Sequence, residues 1–183
     1  MLRFSHKRGP LPWLRRLGPD VRGATAVEFA LVSVPLFAIV LCALQTALIF
    51  FFEQSLQTAT TLASRQLMVG SAQTSGLTAD GFKSAVCAKV PGVFSCSGLM
   101  VDVQSAKTYG ALNVAPITIT YNPDGSVANG FSYAPGAAGD VVIVRVYYNW
   151  PVFGDILGNA LANQPGGNHL MAGVAVIKNE PFS

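Results

Sequence analysis

Residues 29–52 read FALVSVPLFAIVLCALQTALIFFF, a run of 24 residues from Phe29 to Phe52 without a charge. As a helix the run spans about 36 Å at ~1.5 Å per residue, enough to cross a hydrocarbon core of about 30 Å with some tilt. A soluble domain this small rarely encloses a helix that is apolar on every side. The run therefore reads as a membrane span. Pro35 lies near its start and predicts a mild kink, which membrane helices tolerate.

On the N-terminal side, residues 1–23 hold Arg3, Lys7, Arg8, Arg15, Arg16 and Arg22 against the single acid Asp20, a balance of +5. The following 160 residues hold six bases against eight acids, a balance of −2. Positive charge collects on the cytoplasmic side of a span, so the N-terminus is expected in the cytoplasm and the chain from about residue 53 outside. The expected organisation is a basic leader over 1–23, a membrane helix over 24–52 and an exported domain over 53–183. An ordinary secretion signal fits poorly, because the apolar core is too long and no clear A-x-A site follows it. Lipoprotein processing at Cys42 would need a small residue before it, and Leu41 stands there. Cys42 reads more simply as a small apolar residue facing lipid or a neighbouring helix.

The chain has 183 residues, 51% of them apolar and 11% charged. That length holds one ordinary domain plus an appendage. So few charges exclude a disordered polyelectrolyte, a coiled coil and a nucleic-acid-coating protein.

Where leader meets helix the sequence is Arg22-Gly23-Ala24-Thr25-Ala26-Val27-Glu28-Phe29. A basic stretch ends in glycine, four small or apolar residues follow, then one acid, then the apolar run. The junction resembles the type IV prepilin processing site, where a membrane peptidase cuts after the glycine and a glutamate is the fifth mature residue. The resemblance implies cleavage between Gly23 and Ala24. A glycine suits the extended pose a protease groove requires. The ammonium created on Ala24 would lie one helical turn from Glu28, whose carboxylate offsets both that charge and the helix dipole. An unpaired acid at the edge of hydrocarbon is costly. In a filament its partner would be the N-terminal ammonium of an adjacent subunit, which would set axial register.

More narrowly, RGATAVEFALVSVP (residues 22–35), a helix running on through small and polar residues over 54–70, and the ending Val176-Ile177-Lys178-Asn179-Glu180-Pro181-Phe182 are similar to the TadE-like proteins. These are minor pilins or pseudopilins of the tight-adherence, Flp-type pilus system. The resemblance implies a single-pass bacterial inner-membrane protein with a cytoplasmic N-terminus and a periplasmic domain, carried to the pilus or cell surface on assembly and serving adhesion. Its implied partners are prepilin peptidase, TadF-like and Flp-type major pilins, the inner-membrane assembly platform and membrane lipid, with no nucleic acid. A second reading stays open: an uncleaved single-pass anchor whose periplasmic domain binds a partner or ligand.

Beyond the span, Leu56, Ala59, Ala63, Leu67 and, less regularly, Leu62 recur at three- and four-residue steps, predicting a helix to about Val69 with Gly70 as its stop. Residues 71–76 read as a polar link. Thr78 is placed to cap a second helix over 79–90, with Asp80 in its first turn and Phe82, Val86 and Val90 inward, ended by Pro91-Gly92. Cys87 and Cys96 flank this turn. On an oxidising side they predict a disulfide contributing on the order of 2–3 kcal/mol; the alternative is two reduced core cysteines.

Strand patterns follow. Leu99, Val101 and Val103 alternate with Met100, Asp102 and Gln104, and Ile117, Ile119 and Tyr121 alternate with threonines. Asn122-Pro-Asp-Gly125 predicts a hairpin returning through Phe131 and Tyr133. Residues 140–150 form the strongest strand pattern, with Val142, Val144, Val146, Tyr148 and Trp150 on one face, and residues 171–178 the last. Between them, residues 153–161 read as a short helix, followed by a loop at Pro165. The fold class expected is α+β, pilin-like: a long N-terminal transmembrane helix continuing into a small, mostly antiparallel sheet domain. His6 and His169 are distant and the cysteines lack ligand spacing, so no metal site is expected. Neither a nucleophile elbow nor a phosphate loop is present, and no cofactor or enzyme activity is expected.

Overall fold

The computed structural model describes residues 23–152, 161–164 and 166–182. The basic leader expected over 1–23 apart from Gly23, the helix expected over 153–161 apart from Leu161, and the turn residue Pro165 lie outside the described residues. Helix α1 runs Ala24–Met68 over 45 residues. It passes through Pro35 unbroken, and beside that proline the Ser33 hydroxyl donates to the Ala30 carbonyl at 3.2 Å. The chain divides into two compact units between Gln45 and Thr46. In the first, α1 turns nearly every apolar side chain outward, and an 18-residue window with a mean hydropathy of 2.5 buries nothing.

The second unit starts with the rest of α1. Its buried stripe is Ile49, Leu56, Ala59, Thr60, Ala63, Ser64 and Leu67. Leu62 is 44% exposed. It lies off that stripe, because the sheet meets the line through Ala59, Ala63 and Leu67. After Gly70, with φ at +76°, comes a single turn, α2 (Ser71–Thr74), where a plain link was expected. Helix α3 is Ala79–Cys87. Thr78 caps it by accepting the Gly81 N–H at 3.2 Å. The helix ends three residues before the expected 90. Pro91 disfavours helical backbone in the residue before it, and the disulfide redirects the chain at Cys87.

Strands β1 (Leu99–Ala106), β2 (Val141–Pro151) and β3 (Asn168–Lys178) form one antiparallel sheet in the order β1-β2-β3. Val103 lies opposite Val144, and Val144 opposite Ala175. The α+β plan expected from the sequence is therefore present. One sheet face, with Val103, Val142, Val144, Val146 and Met171, packs on α1 and on Phe82 and Val86 of α3.

The other face of the sheet is covered as well. The irregular stretch 107–140 covers it, packing Ile119 against Met100 and Tyr147, and Leu112 against Val141 and Ile143. Met100 and Asp102 are accordingly buried. The turn at 122–125 forms, with the Gly125 N–H donating to the Asn122 carbonyl at 2.9 Å. The expected hairpin shrinks to one bridge, Tyr121 to Val127. Pro116 lacks a ladder donor, and the Asn129 side chain takes the Thr120 N–H at 2.6 Å and donates to the Thr118 carbonyl at 2.9 Å. Tyr133 pairs in parallel with Val103 instead.

Candidate functional site

The residues expected to carry processing stand together at the start of α1. Gly23 is the residue before the helix and Ala24 is its first. Glu28 opens the second turn, exposed, with no ion-pair or hydrogen-bond partner among the described residues. Val27 and Phe29 beside it are exposed too. A single carboxylate thus interrupts an otherwise apolar surface at the helix mouth. Phe52, at the far end of the apolar run, is half-buried. Its ring lies 4.5 Å from Trp150 and 5.8 Å from Phe94 between centroids.

Cys87 and Cys96 are joined by a disulfide, with Cα atoms 5.5 Å apart. The bond ties the end of α3 to the turn that leads into β1. Ser95 in the enclosed loop donates its N–H to the Tyr148 hydroxyl at 3.3 Å, so the loop is fastened to β2 as well. Among the described residues no group of His, Cys, Asp and Glu is placed to hold a metal ion.

Three features had escaped the sequence reading. The first is a buried ion pair: Arg145 Nη1 donates to Asp102 Oδ2 at 3.1 Å, and both side chains are nearly inaccessible. Asp102 also accepts the Ser132 N–H and the Gln104 amide, each at 3.0 Å. Arg145 Nη2 donates to the Asn113 carbonyl. The pair therefore bolts the stretch 107–140 to the sheet, and breaking one partner would leave a buried charge uncompensated. The available signal was one charge in each of two otherwise uncharged strands.

The second is the use of the tail. The buried Asn179 donates its side-chain amide to the Pro135 and Ala137 carbonyls at 2.9 and 3.1 Å. The Glu180 N–H donates to the Met68 carbonyl at 2.8 Å, closing the end of α1, and Phe182 covers Gly70 so closely that a Cβ there would meet its ring. The third is an ion pair beside the tail, Lys107 Nζ to Asp140 Oδ1 at 2.8 Å. This hydrogen bond, with one from the Ala137 N–H, holds the Asp140 carboxyl below its ordinary range. Burial raises the hydroxyls of Tyr133 and Tyr147 above theirs.

A cleft of about 540 Å³ opens where the start of β1 lies between α3 and residues 125–133. Among the described residues the buried Tyr133 hydroxyl has no hydrogen-bond partner.

Residues 23–65 match one protein family, TadE, described as TadE-like protein. The match begins at Gly23 and takes in Glu28 and α1 as far as Arg65. No curated protein and no solved structure matches the chain.

Proposed function

We propose that this chain is a component of a tight-adherence, type IV-related pilus system, of the minor pilin or pseudopilin kind. The observation that carries the reading is the coincidence at the start of α1. A family match, an exposed apolar run without charge over residues 29–45 and a lone carboxylate five residues beyond Gly23 all fall on one stretch. In this reading the chain is inserted with its N-terminus in the cytoplasm and its second unit in the periplasm. Prepilin peptidase cuts between Gly23 and Ala24, removing the basic leader.

The mature helix then passes from lipid into a bundle with other pilins. Its apolar side chains exchange one hydrocarbon environment for another, so the exchange itself costs little. Glu28 is the exception, since a carboxylate in that environment is stable only when paired. The ammonium on Ala24 of a neighbouring copy supplies the pair, and Glu28 fixes where each subunit stops. The protein is a substrate of proteolysis with no catalysis of its own.

N-terminal sequencing of the membrane fraction tests this, in cells with and without the peptidase. A start at Ala24 that depends on the peptidase is expected. An intact leader in cells that possess the peptidase would favour the uncleaved anchor and sink the proposal.

A further inference from the structure

The two edges of the sheet are finished differently. On β3, Gln57 accepts the Val174 N–H and donates to the Val174 carbonyl, both at 2.8 Å. Asn163 accepts the Leu170 N–H at 2.7 Å and reaches the Leu170 carbonyl at 3.4 Å. Two amide side chains thus stand in for strand residues and obstruct this edge.

On β1 the Val103 N–H donates to the Ser132 carbonyl, and the Val103 carbonyl accepts the Ala134 N–H, both at 2.8 Å. Both main-chain groups of Val103 therefore point away from β2. Main-chain direction repeats every second residue along an antiparallel strand, so Val101 points its N–H and C=O the same way. Among the described residues these groups have no partner. The covering stretch has already left the edge here, where Asn129 is engaged with Thr118 and Thr120 and Phe131 packs on the second face. Val101 opens into the 540 Å³ cleft, which is walled by Asp80 and Lys83 of α3 on one side and by Val127 and Phe131 on the other.

We propose that the open edge of β1 at Val101 receives an extended segment of a partner polypeptide, which adds as a fourth strand in the slot begun by residues 132–134. A donor and an acceptor pointing outward from one strand residue are matched by an extended main chain, and this is the basis of strand addition. The two walls restrict which side chains the visitor carries: apolar toward Phe131, polar toward Asp80 and Lys83. The inference stands apart from the pilus reading, since an uncleaved anchor would present the same edge.

The test uses the full chain in lipid nanodiscs and phage-displayed random octapeptides, the enriched sequences being resynthesised. Enriched peptides are expected to bind with a strand signature. N-methylation of alternate residues abolishes binding, and N-methylation of the intervening ones is tolerated. Val101→Pro removes a donor that no described residue uses, and should weaken binding about tenfold or more with the melting temperature retained. If that variant melts early, the N-methyl scan on the unaltered protein decides alone. Absence of enrichment, peptides indifferent to N-methylation, or equal affinity for a well-folded Val101→Pro would each overturn the proposal.

Discussion

Over residues 24–45 α1 exposes almost every side chain, with Phe29 and Leu31 each 71% exposed, whereas over residues 46–68 it buries Leu56, Ala59, Ala63 and Leu67 completely. The backbone is one helix throughout, yet the two stretches are written for different surroundings. The first has no polar face. The second sets small and apolar residues at three- and four-residue steps on one side and Gln54, Thr58, Thr61 and Arg65 on the other. A hydrophobic side chain therefore means something different in each: contact with lipid in the first, and a fixed place in a packed core in the second.

Truncating a leucine in each stretch should have very different effects. Leu67→Ala should destabilise the second unit by about 2–5 kcal/mol, because a filled position becomes a cavity. Leu41→Ala, at a residue 58% exposed, should change it by less than about 0.5 kcal/mol. Denaturant melts of the full chain followed through Trp150 would measure both, and equal losses would mean that the first stretch is packed after all. The complementary pair introduces charge. Leu41→Arg should disfavour membrane insertion by about 2.5–3.5 kcal/mol, as a charge in mid-span does. Leu62→Arg lies on the solvent side of the second stretch and should stay within about 0.5 kcal/mol in the same melts. Glycosylation-mapped insertion reads the first effect, and full insertion of Leu41→Arg would argue against a span.

How much of this was legible follows from the range over which each signal acts. The helix, the turn at Gly70, the cap at Thr78 and the strand periods are local, and the residues state them directly. Cys87 and Cys96 are close enough in sequence for pairing to be expected, and the structure has that disulfide. The stretch 107–140 was misread as a hairpin because the alternation of Ile117, Ile119 and Tyr121 with threonines is a strand signal that the fold does not use. Pro116, Pro123 and Pro135 interrupt the stretch, and Asn129 replaces ladder bonds with side-chain ones. Asp102 and Arg145 each look like a solvated alternate position until the cover above them is known. Gln57 and Val174 are 117 residues apart, and nothing in either neighbourhood announces the other. At the start of α1 the case is reversed: Gly23, Ala24 and Glu28 lie within six residues of one another, so their spacing is a local feature of the sequence, and the fold adds that they sit exposed at the first turns of the helix.

The close approach of the second stretch of α1 to β3 offers a smaller test. A Cβ on Gly173 would press on Thr60 Oγ1 and lie 2.9 Å from the Leu56 carbonyl oxygen. Gly173→Ala should therefore cost about 1–3 kcal/mol, the usual range for overpacking. Adding Thr60→Ala should recover only part, since the Leu56 carbonyl is main chain and cannot turn aside. Complete recovery would show that the hydroxyl alone sets the spacing of helix and sheet.

The weakest expected effect lies at the end where α1 is clasped. The Asp140 carbonyl accepts the Asn179 N–H at 2.8 Å, and Asn179 precedes the residue whose N–H closes Met68. Lys107 steadies this corner through the Asp140 carboxylate. In the folded chain that carboxyl titrates below its ordinary value of 3.8, chiefly because of the Lys107 hydrogen bond. A lowered folded-state value means that the contribution is complete above the ordinary carboxylate range and disappears as pH falls through the folded-state value. Lys107→Met should thus be less stable than the parent at neutral pH, by a small margin because the ammonium is largely exposed. The two stability curves should converge as pH is lowered past 3.8. A gap that stays constant with pH would assign the effect of Lys107 to packing of its methylene stem, and the ion pair with Asp140 would then have no part in holding the tail against α1.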